Sequence, residues 1–142
     1  MLVKPRLIVS KCLEFDHCRY NGQILNSPFI RKLKPYVQFV PICPEVEIEL
    51  SVPREPIRIV STISGKRLIN NTTGVDLTKV MHRFCRKFLE KITGVDGFIL
   101  SSRSPSCGIG DVKIYPGIGD VPPFPVKTSG FFAQAIQESF PG

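Results

Sequence analysis

Three of the five cysteines in this 142-residue chain, Cys12, Cys43 and Cys107, each come shortly after a run of apolar residues. Thiolates are soft ligands that bind zinc or iron-sulfur clusters in preference to magnesium or calcium. A set of three suits a metal centre that keeps one position open for a substrate, because structural centres are usually closed by a fourth ligand. The spacing lacks the compactness of a ferredoxin or a zinc ribbon, so ordinary buried thiols are a second interpretation.

The other two cysteines point to different roles. Cys85 falls on the apolar face of a candidate helix, where a small core residue is expected. Cys18 stands next to His17 and could be a fourth ligand, a resolving thiol or a passive loop residue, of which the last is favoured. An odd number of cysteines without a recognisable export signal argues against a disulfide framework. Persulfide chemistry on one reactive cysteine, with no metal, is a further alternative.

Charged residues accompany two of these positions. Glu45 comes two residues after Cys43 and could act as a general base in the same pocket, its pKa tuned by burial, although a single glutamate is more often structural. Arg54 and Glu55 stand between two prolines that restrict the backbone. This pair is expected either to orient a wall of the site or to anchor a hairpin, and anchoring is favoured.

Small polar groups surround Cys107 in the segment 101–108, which contains four serines (Ser101, Ser102, Ser104 and Ser106), one arginine and a glycine. Such a density of hydroxyls suits contacts with the exocyclic atoms of a planar ligand. Arg19 and Tyr20 offer a guanidinium and an aromatic ring as further substrate contacts, directly before the turn-forming pair Asn21-Gly22.

The apolar runs are the elements that must position these side chains. Residues 7–9 and 98–100 are continuously apolar, and residues 37–40 are apolar except for Gln38, which is typical of strands buried on both faces of a parallel sheet. The carboxyl ends of parallel strands lie at one edge of the sheet, where ligands bind. We therefore expect the three thiols to meet at that edge.

Helical patterns alternate with these strands. Ser27 and Pro28 open a first helix, Asp76 is the expected N-cap of a long amphipathic helix that ends before Gly94, and Ser129 is the expected cap of a last helix. Residues 57–60 and 67–69 predict a β-hairpin, and residues 103–125 a functional loop with little regular structure.

Together these elements predict an α/β fold with a layered, mostly parallel, Rossmann-like sheet, helices on both faces and a small inserted β-hairpin. We expect residues 1–142 to form a single domain, for which 42% hydrophobic residues and ten phenylalanines supply a core.

Composition and charge limit which partners and which cellular location are expected for the chain. The apolar runs are too short for a membrane helix of about 20 residues, and Pro5 interrupts the place of a signal sequence, so a cytoplasmic location is expected. The net charge of +7 could attract phosphate-bearing ligands such as RNA, or serve only solubility. The basic face of the long helix, residues 79–91, is read as a solvated surface in preference to an RNA-binding ridge.

Five short motifs occur in order along the chain: Cys12-Leu13, Arg19-Tyr20-Asn21-Gly22, Val40-Pro41-Ile42-Cys43-Pro44-Glu45, Pro53-Arg54-Glu55-Pro56 and Ser104-Pro105-Ser106-Cys107-Gly108. Together they resemble the thiouracil desulfidase (TudS-like) family over about residues 5 to 138. Residues 4–6 and 43–48 are most similar to the version that is followed by a YbgA-like second domain. Because this sequence stops after the last predicted helix, a stand-alone form or an excised module is expected.

The resemblance implies a 4Fe-4S cluster held by Cys12, Cys43 and Cys107, with the fourth iron free to take sulfur from the substrate. It also implies that Glu45 activates water, and that a serine contacts the substrate or the leaving sulfur. Ser104 is favoured for that role and Ser101 is the alternative.

The activity implied is hydrolysis of a thiolated pyrimidine, 2- or 4-thiouracil or its nucleotide, with release of hydrosulfide. Iron would act as a Lewis acid toward the thione sulfur, and no redox change is needed. Relatives commonly carry Leu-Gly after the Cys-Leu pair, where this chain has Glu14-Phe15, and an Asp in Tyr-Asp-Gly, where this chain has Asn21. These two differences bear on which thiolated base is the substrate. The alternative function is a non-enzymatic metal- or cluster-binding module that assists recognition of thiolated RNA.

Overall fold

The computed structural model describes residues 4–16, 18, 21–48, 50 and 54–140. In chain order the elements are β1 (Arg6–Ser10), α1 (Pro28–Leu33), β2 (Gln38–Ile42), α2 (Pro44–Glu47), β3 (Ile57–Thr62), β4 (Gly65–Asn70), α3 (Thr78–Lys91), β5 (Gly97–Ile99), β6 (Val112–Tyr115), β7 (Lys127–Thr128) and α4 (Phe131–Ser139).

The first sheet is fully parallel, with the strand order β2-β1-β5. Its central strand β1 carries Ile8 and Val9, both almost completely buried, because neighbours cover the strand on both faces. The three predicted strands are therefore confirmed. The sequence pattern ended β2 before Pro41, but the strand continues to Ile42, which an edge strand tolerates because one side of its backbone needs no partner.

The second sheet has the order β4-β3-β6-β7. The predicted hairpin forms its β3–β4 half, and Gly65 turns the chain at a φ of +98°. β6 then pairs parallel with β3, and β7 antiparallel with β6. The expectation of little regular structure over 103–125 was wrong at Val112–Tyr115, because a four-residue strand is hard to recognise among so many glycines and prolines. The α/β class is confirmed.

Two helix starts differ from the expected caps. α3 has Leu77 rather than Asp76 at its N-cap, although Asp76 still accepts a hydrogen bond from the Thr78 amide at 2.9 Å. α4 follows Gly130. Ser129 does not cap it, because its hydroxyl instead accepts from the Gly110 amide at 2.9 Å. Ser27 caps α1 as expected, through the Ile30 amide.

The core joins buried residues of both sheets to the packed helices α3 and α4. Phe132 is fully buried, and its ring centre lies 5.9 Å from that of Phe84 and 5.5 Å from that of Phe88. Cys85 is buried in the same cluster, which confirms its expected role as a core residue. In the described part of the chain, no helix has the length and apolarity that crossing a bilayer requires.

The start of α4 is bonded to the loop that carries Cys107. The amides of Phe131 and Phe132 donate to the carbonyls of Pro105 and Ser106, at 3.0 and 2.8 Å. These amides belong to the first turn of the helix and have no partner within it, so the loop caps the helix with its own backbone. Gly130 lies so close to this loop that an added Cβ would come within 2.5 Å of the Ser106 carbonyl carbon.

We expect Gly130→Ala to lower the free energy of unfolding by about 1–3 kcal/mol, because the new methyl must push apart two backbones that cannot rearrange cheaply. Urea unfolding of both proteins in the same iron-loading state measures the change. Gly117→Ala is the matched control, since nothing lies within 4 Å of its Cβ position. Equal urea midpoints for the two variants would show that the contact of Gly130 with the Ser106 backbone is not tightly packed.

Candidate functional site

A cavity of about 360 Å³ opens at the carboxyl edge of the first sheet. Its walls come from the loops after β1, β2 and β5 and from Arg54 before β3. Four cysteines line it: Cys12, Cys18, Cys43 and Cys107. The structure thus brings the three cysteines of the sequence prediction together, and it adds Cys18.

Backbone contacts hold each of the three expected thiols in place. Cys12 lies two residues past β1, and its carbonyl accepts from the Leu25 amide at 2.6 Å. Cys43 occupies the N-cap position of α2, directly after β2. The Cys107 amide donates to the Ser104 hydroxyl at 3.1 Å. The sulfurs are therefore carried by ordered segments.

The thiols influence one another strongly. Cys18 is hydrogen-bonded to the sulfurs of Cys12 and Cys43, which raises the pKa of Cys18 far above its ordinary value. The same hydrogen bond from Cys18 lowers the pKa of Cys43 to about 7, although burial opposes this. Burial raises the pKa of Cys107, and the nearby charges of Glu45 and Cys43 add to that rise. Ionising these thiols together is therefore costly unless a cation shares the cavity.

The donor set fits an iron-sulfur cluster. Cysteine sulfur is the usual protein ligand of such clusters. The described residues contain no group of three His, Cys, Asp or Glu side chains arranged to hold a single metal ion. The cysteines that line the cavity suit a polynuclear centre, in which each iron can bind a different cysteine.

Glu45 lies beside the thiols with both carboxylate oxygens bonded. Its Oε1 accepts from Arg54 Nε at 3.2 Å and Nη2 at 3.0 Å, and the two side chains are only 13% and 6% exposed. Its Oε2 accepts from the Ser106 hydroxyl at 3.2 Å. A buried ion pair with a further hydrogen bond fixes the carboxylate in one orientation.

Of the two roles expected for the Arg54-Glu55 pair, Arg54 forms part of the site wall and Glu55 anchors the hairpin. Arg54 lines the cavity and pairs with Glu45, so the preference for a purely anchoring role was wrong for this residue. Glu55 accepts from the Thr72 hydroxyl at 2.8 Å and ties the segment before β3 to the turn after β4. Anchoring was correct for Glu55.

The serines of the 101–108 segment separate into distinct contacts. Ser101 and Ser104 both line the cavity. The Ser104 hydroxyl accepts from the Ser106 and Cys107 amides, so it shapes the loop around the thiol. The fully buried Ser106 is the serine whose hydroxyl donates to Glu45, and nothing in the sequence distinguished it from the other serines. Four serines in eight residues gave no signal that ranks them.

The predicted contacts Arg19 and Tyr20, together with His17, lie outside the described residues. The adjoining turn is described. The Asn21 side chain accepts from the Gln23 amide at 3.1 Å, and Gly22 has a φ of +75°. This is the turn that the Asn-Gly pair predicted.

A second cavity, of about 350 Å³, adjoins the thiol cavity. Four residues line both: Pro56, Ile57, Arg103 and Pro105. Arg103 has a φ of +61°, a strained conformation for an arginine, and its amide donates to Asp111. The two cavities therefore meet at one constrained arginine.

Three basic side chains on neighbouring strands of the second sheet line this cavity. We call these residues, Arg58, Lys113 and Lys127, the cationic row. Lys113 pairs with Lys127 in the β6–β7 register, and the β3–β6 register puts Arg58 beside Lys113. The Arg58 guanidinium lies 3.8 Å from the centre of the Tyr115 ring. Both lysines are exposed, and no ion pair joins either of them to an acidic residue in the described ranges.

Comparison with known proteins agrees with this geometry. The family model for 2-thiouracil desulfurase matches residues 7–142. The chain belongs to the 2-thiouracil desulfurase family. The match spans β1 to α4, so it includes every residue that lines the thiol cavity. The family resemblance of the five sequence motifs is confirmed.

Two other proteins are similar to this chain, one in sequence and one in structure. The protein YbbK of Bacillus subtilis, which is uncharacterised, is 36% identical over 111 residues, or 73% of this chain and 74% of the relative. A solved structure of the 4Fe-4S-dependent thiouracil desulfidase TudS superposes with a TM-score of 0.74 and 27% identity, over 95% of this chain and 86% of that one.

Proposed function

We propose that this chain is a thiouracil desulfidase that holds a 4Fe-4S cluster through Cys12, Cys43 and Cys107. The observation that carries the proposal is the convergence of three thiols from three strand ends in one cavity beside the fixed carboxylate of Glu45. Family membership supports it, and so does the likeness to TudS, whose name states both the cluster and the substrate.

The reaction consumes one water and replaces C=S by C=O in a thiolated pyrimidine: the water oxygen becomes the carbonyl oxygen, the thione sulfur leaves as hydrosulfide, and one proton is released. No electron is transferred in this reaction. A bound cluster would supply an iron with a free position, a Lewis acid for the thione sulfur.

The proton of the attacking water goes to Glu45. Each carboxylate oxygen has about two lone pairs, and Oε2 uses one of them for Ser106, so one stays available for water. Arg54 and Ser106 hold the carboxylate still, which reduces the reorganisation that proton transfer requires. Ser101 and Ser104 offer polar contacts to the ring of the substrate from the opposite loop.

A thionucleotide suits the pair of cavities better than a free base. The base would occupy the thiol cavity, and its phosphate would extend past the shared residue Arg103 toward the cationic row. Lysines without an acidic partner are ready to pair with an anion.

A second candidate function is the cluster-binding module that assists recognition of thiolated RNA. It is favoured by the exposed basic side chains Arg83, Lys87 and Lys91, which lie one helical turn apart along α3. Salt-sensitive RNA binding without sulfide release would support this function over the enzyme.

Protein reconstituted without oxygen should contain close to four irons per chain, and Cys12→Ala, Cys43→Ala and Cys107→Ala should each lose most of this iron and the brown colour. Iron and acid-labile sulfide analysis measures the effect. Cys85→Ala, a core cysteine outside the cavity, should keep the cluster. Wild-type protein without iron would refute the cofactor, and loss from only one variant would point to a nucleophilic cysteine.

Glu45→Gln should slow sulfide release from a thiopyrimidine by about 100-fold or more, because the amide cannot take a proton from water. Its iron content should equal that of the wild type, as absorption spectra can verify. Glu47→Gln, on the same short helix but exposed, should keep full activity. An active Glu45→Gln enzyme would exclude this residue as the base.

Replacing Lys113 and Lys127 together by Gln should raise the KM for 4-thiouridine 5′-phosphate about tenfold and leave kcat unchanged, because the phosphate loses two charged partners. The KM for free 4-thiouracil should not change. Steady-state kinetics with both substrates measures the difference, and Lys79→Gln on α3 is the control. Identical changes for base and nucleotide would show that the cationic row does not bind phosphate.

A further inference from the structure

Cys18 is a fourth thiol in the cavity, and the proposed cluster ligation does not use it. It is only 3% exposed. Its sulfur is hydrogen-bonded to those of Cys12 and Cys43, and the Cys43 sulfur lies 3.9 Å from the Cys18 carbonyl oxygen. From the sequence, a passive loop residue was the favoured interpretation of Cys18. The structure instead places this thiol between two of the three expected ligands.

The surroundings of Cys18 differ from those of a packing cysteine. Cys85 shows the usual case, since it lies in the hydrophobic core and burial raises the pKa of its thiol to about 12. Cys18 contacts two thiols and lines the cavity together with Cys107. A side chain this close to two ligands is also within reach of the centre that those ligands hold.

We propose that Cys18 is an exchangeable fourth ligand, which coordinates the iron left free by the other three cysteines until a thione or hydrosulfide displaces it. This inference rests on the proposed function. The thiol releases its proton to solvent when it coordinates and takes one back when it leaves. Only ligands exchange, so neither iron nor sulfur changes oxidation state.

An internal ligand has two measurable consequences. It retains the fourth iron when no substrate is bound, because that iron otherwise has no protein ligand. It also competes with every sulfur ligand from solution, so the apparent affinity for that ligand falls in proportion to the fraction of time that the iron is free.

The test compares wild type, Cys18→Ala, Cys18→Ser and Cys85→Ala, all reconstituted without oxygen. Hydrosulfide is titrated into each protein and followed by the visible absorption of the cluster. If Cys18 occupies the iron about nine-tenths of the time, Cys18→Ala should bind hydrosulfide about tenfold more tightly than the wild type. Cys18→Ser, with a weaker oxygen ligand, should fall between the two, and Cys85→Ala should match the wild type.

A second readout is the conversion of the 4Fe-4S to the 3Fe-4S form under a limited amount of ferricyanide, followed by the paramagnetic resonance signal of the product. Cys18→Ala should convert several-fold faster than the wild type. Equal conversion rates and equal hydrosulfide affinities, at four irons per chain in both proteins, would overturn the exchangeable ligand while leaving the desulfidase intact.

Failure to assemble a cluster in Cys18→Ala and Cys18→Ser would also overturn the inference, since it would make Cys18 a permanent ligand. Absence of a cluster in every protein, including Cys85→Ala, would refute the proposed function itself. The two failures are therefore distinguishable.

Discussion

The register of the first sheet is the constraint on which the site depends. β1 is paired with β2 from Arg6↔Gln38 to Ser10↔Ile42, and with β5 from Leu7↔Gly97 to Val9↔Ile99. A slip of one residue would move every side chain of a strand to its other face and shift the loop that follows. Ile8 and Val9 are both buried, and the Ser101 amide donates to the Ser10 hydroxyl at 2.8 Å, so packing and this hydrogen bond together hold the strand ends from which the thiols converge.

The core also determines the shape of the loop that bears Cys107. Phe132 is buried among the rings of α3, and its amide holds the carbonyl of Ser106. Ser106 in turn donates to Glu45, which pairs with Arg54. Each member of this chain of contacts is buried or half-buried, and a buried polar group without a partner is costly, so its members stabilise one another. The carboxylate is therefore positioned by the hydrophobic core as much as by its own ion pair.

The sequence predicted the three strands, the hairpin and the meeting of Cys12, Cys43 and Cys107, because these follow from hydrophobic patterning and the geometry of parallel sheets. It offered Cys18 and Arg54 as possible parts of the site but favoured other roles for them, whereas both line the cavity. Their positions depend on loop conformations, for which turn residues give only local information. The contact of Ser106 with Glu45 was missed for a similar reason, because periodicity is absent from a loop and this contact joins residues 61 positions apart.

Charge connects the thiol cavity to the rest of the molecule. Glu45 places a negative charge at the sheet edge beside the four thiols, and the Arg54 guanidinium offsets part of it at short range. An anionic substrate would be repelled there unless cations met its charged end, and the cationic row lies along the adjoining cavity, beyond Arg103. In the proposed complex the two cavities would take opposite ends of one ligand: a soft, uncharged thione toward the cysteines and a hard anion toward the lysines. Discrimination would then come from the shared wall of the two cavities, where the strained backbone of Arg103 would limit how the two halves of a ligand can be joined.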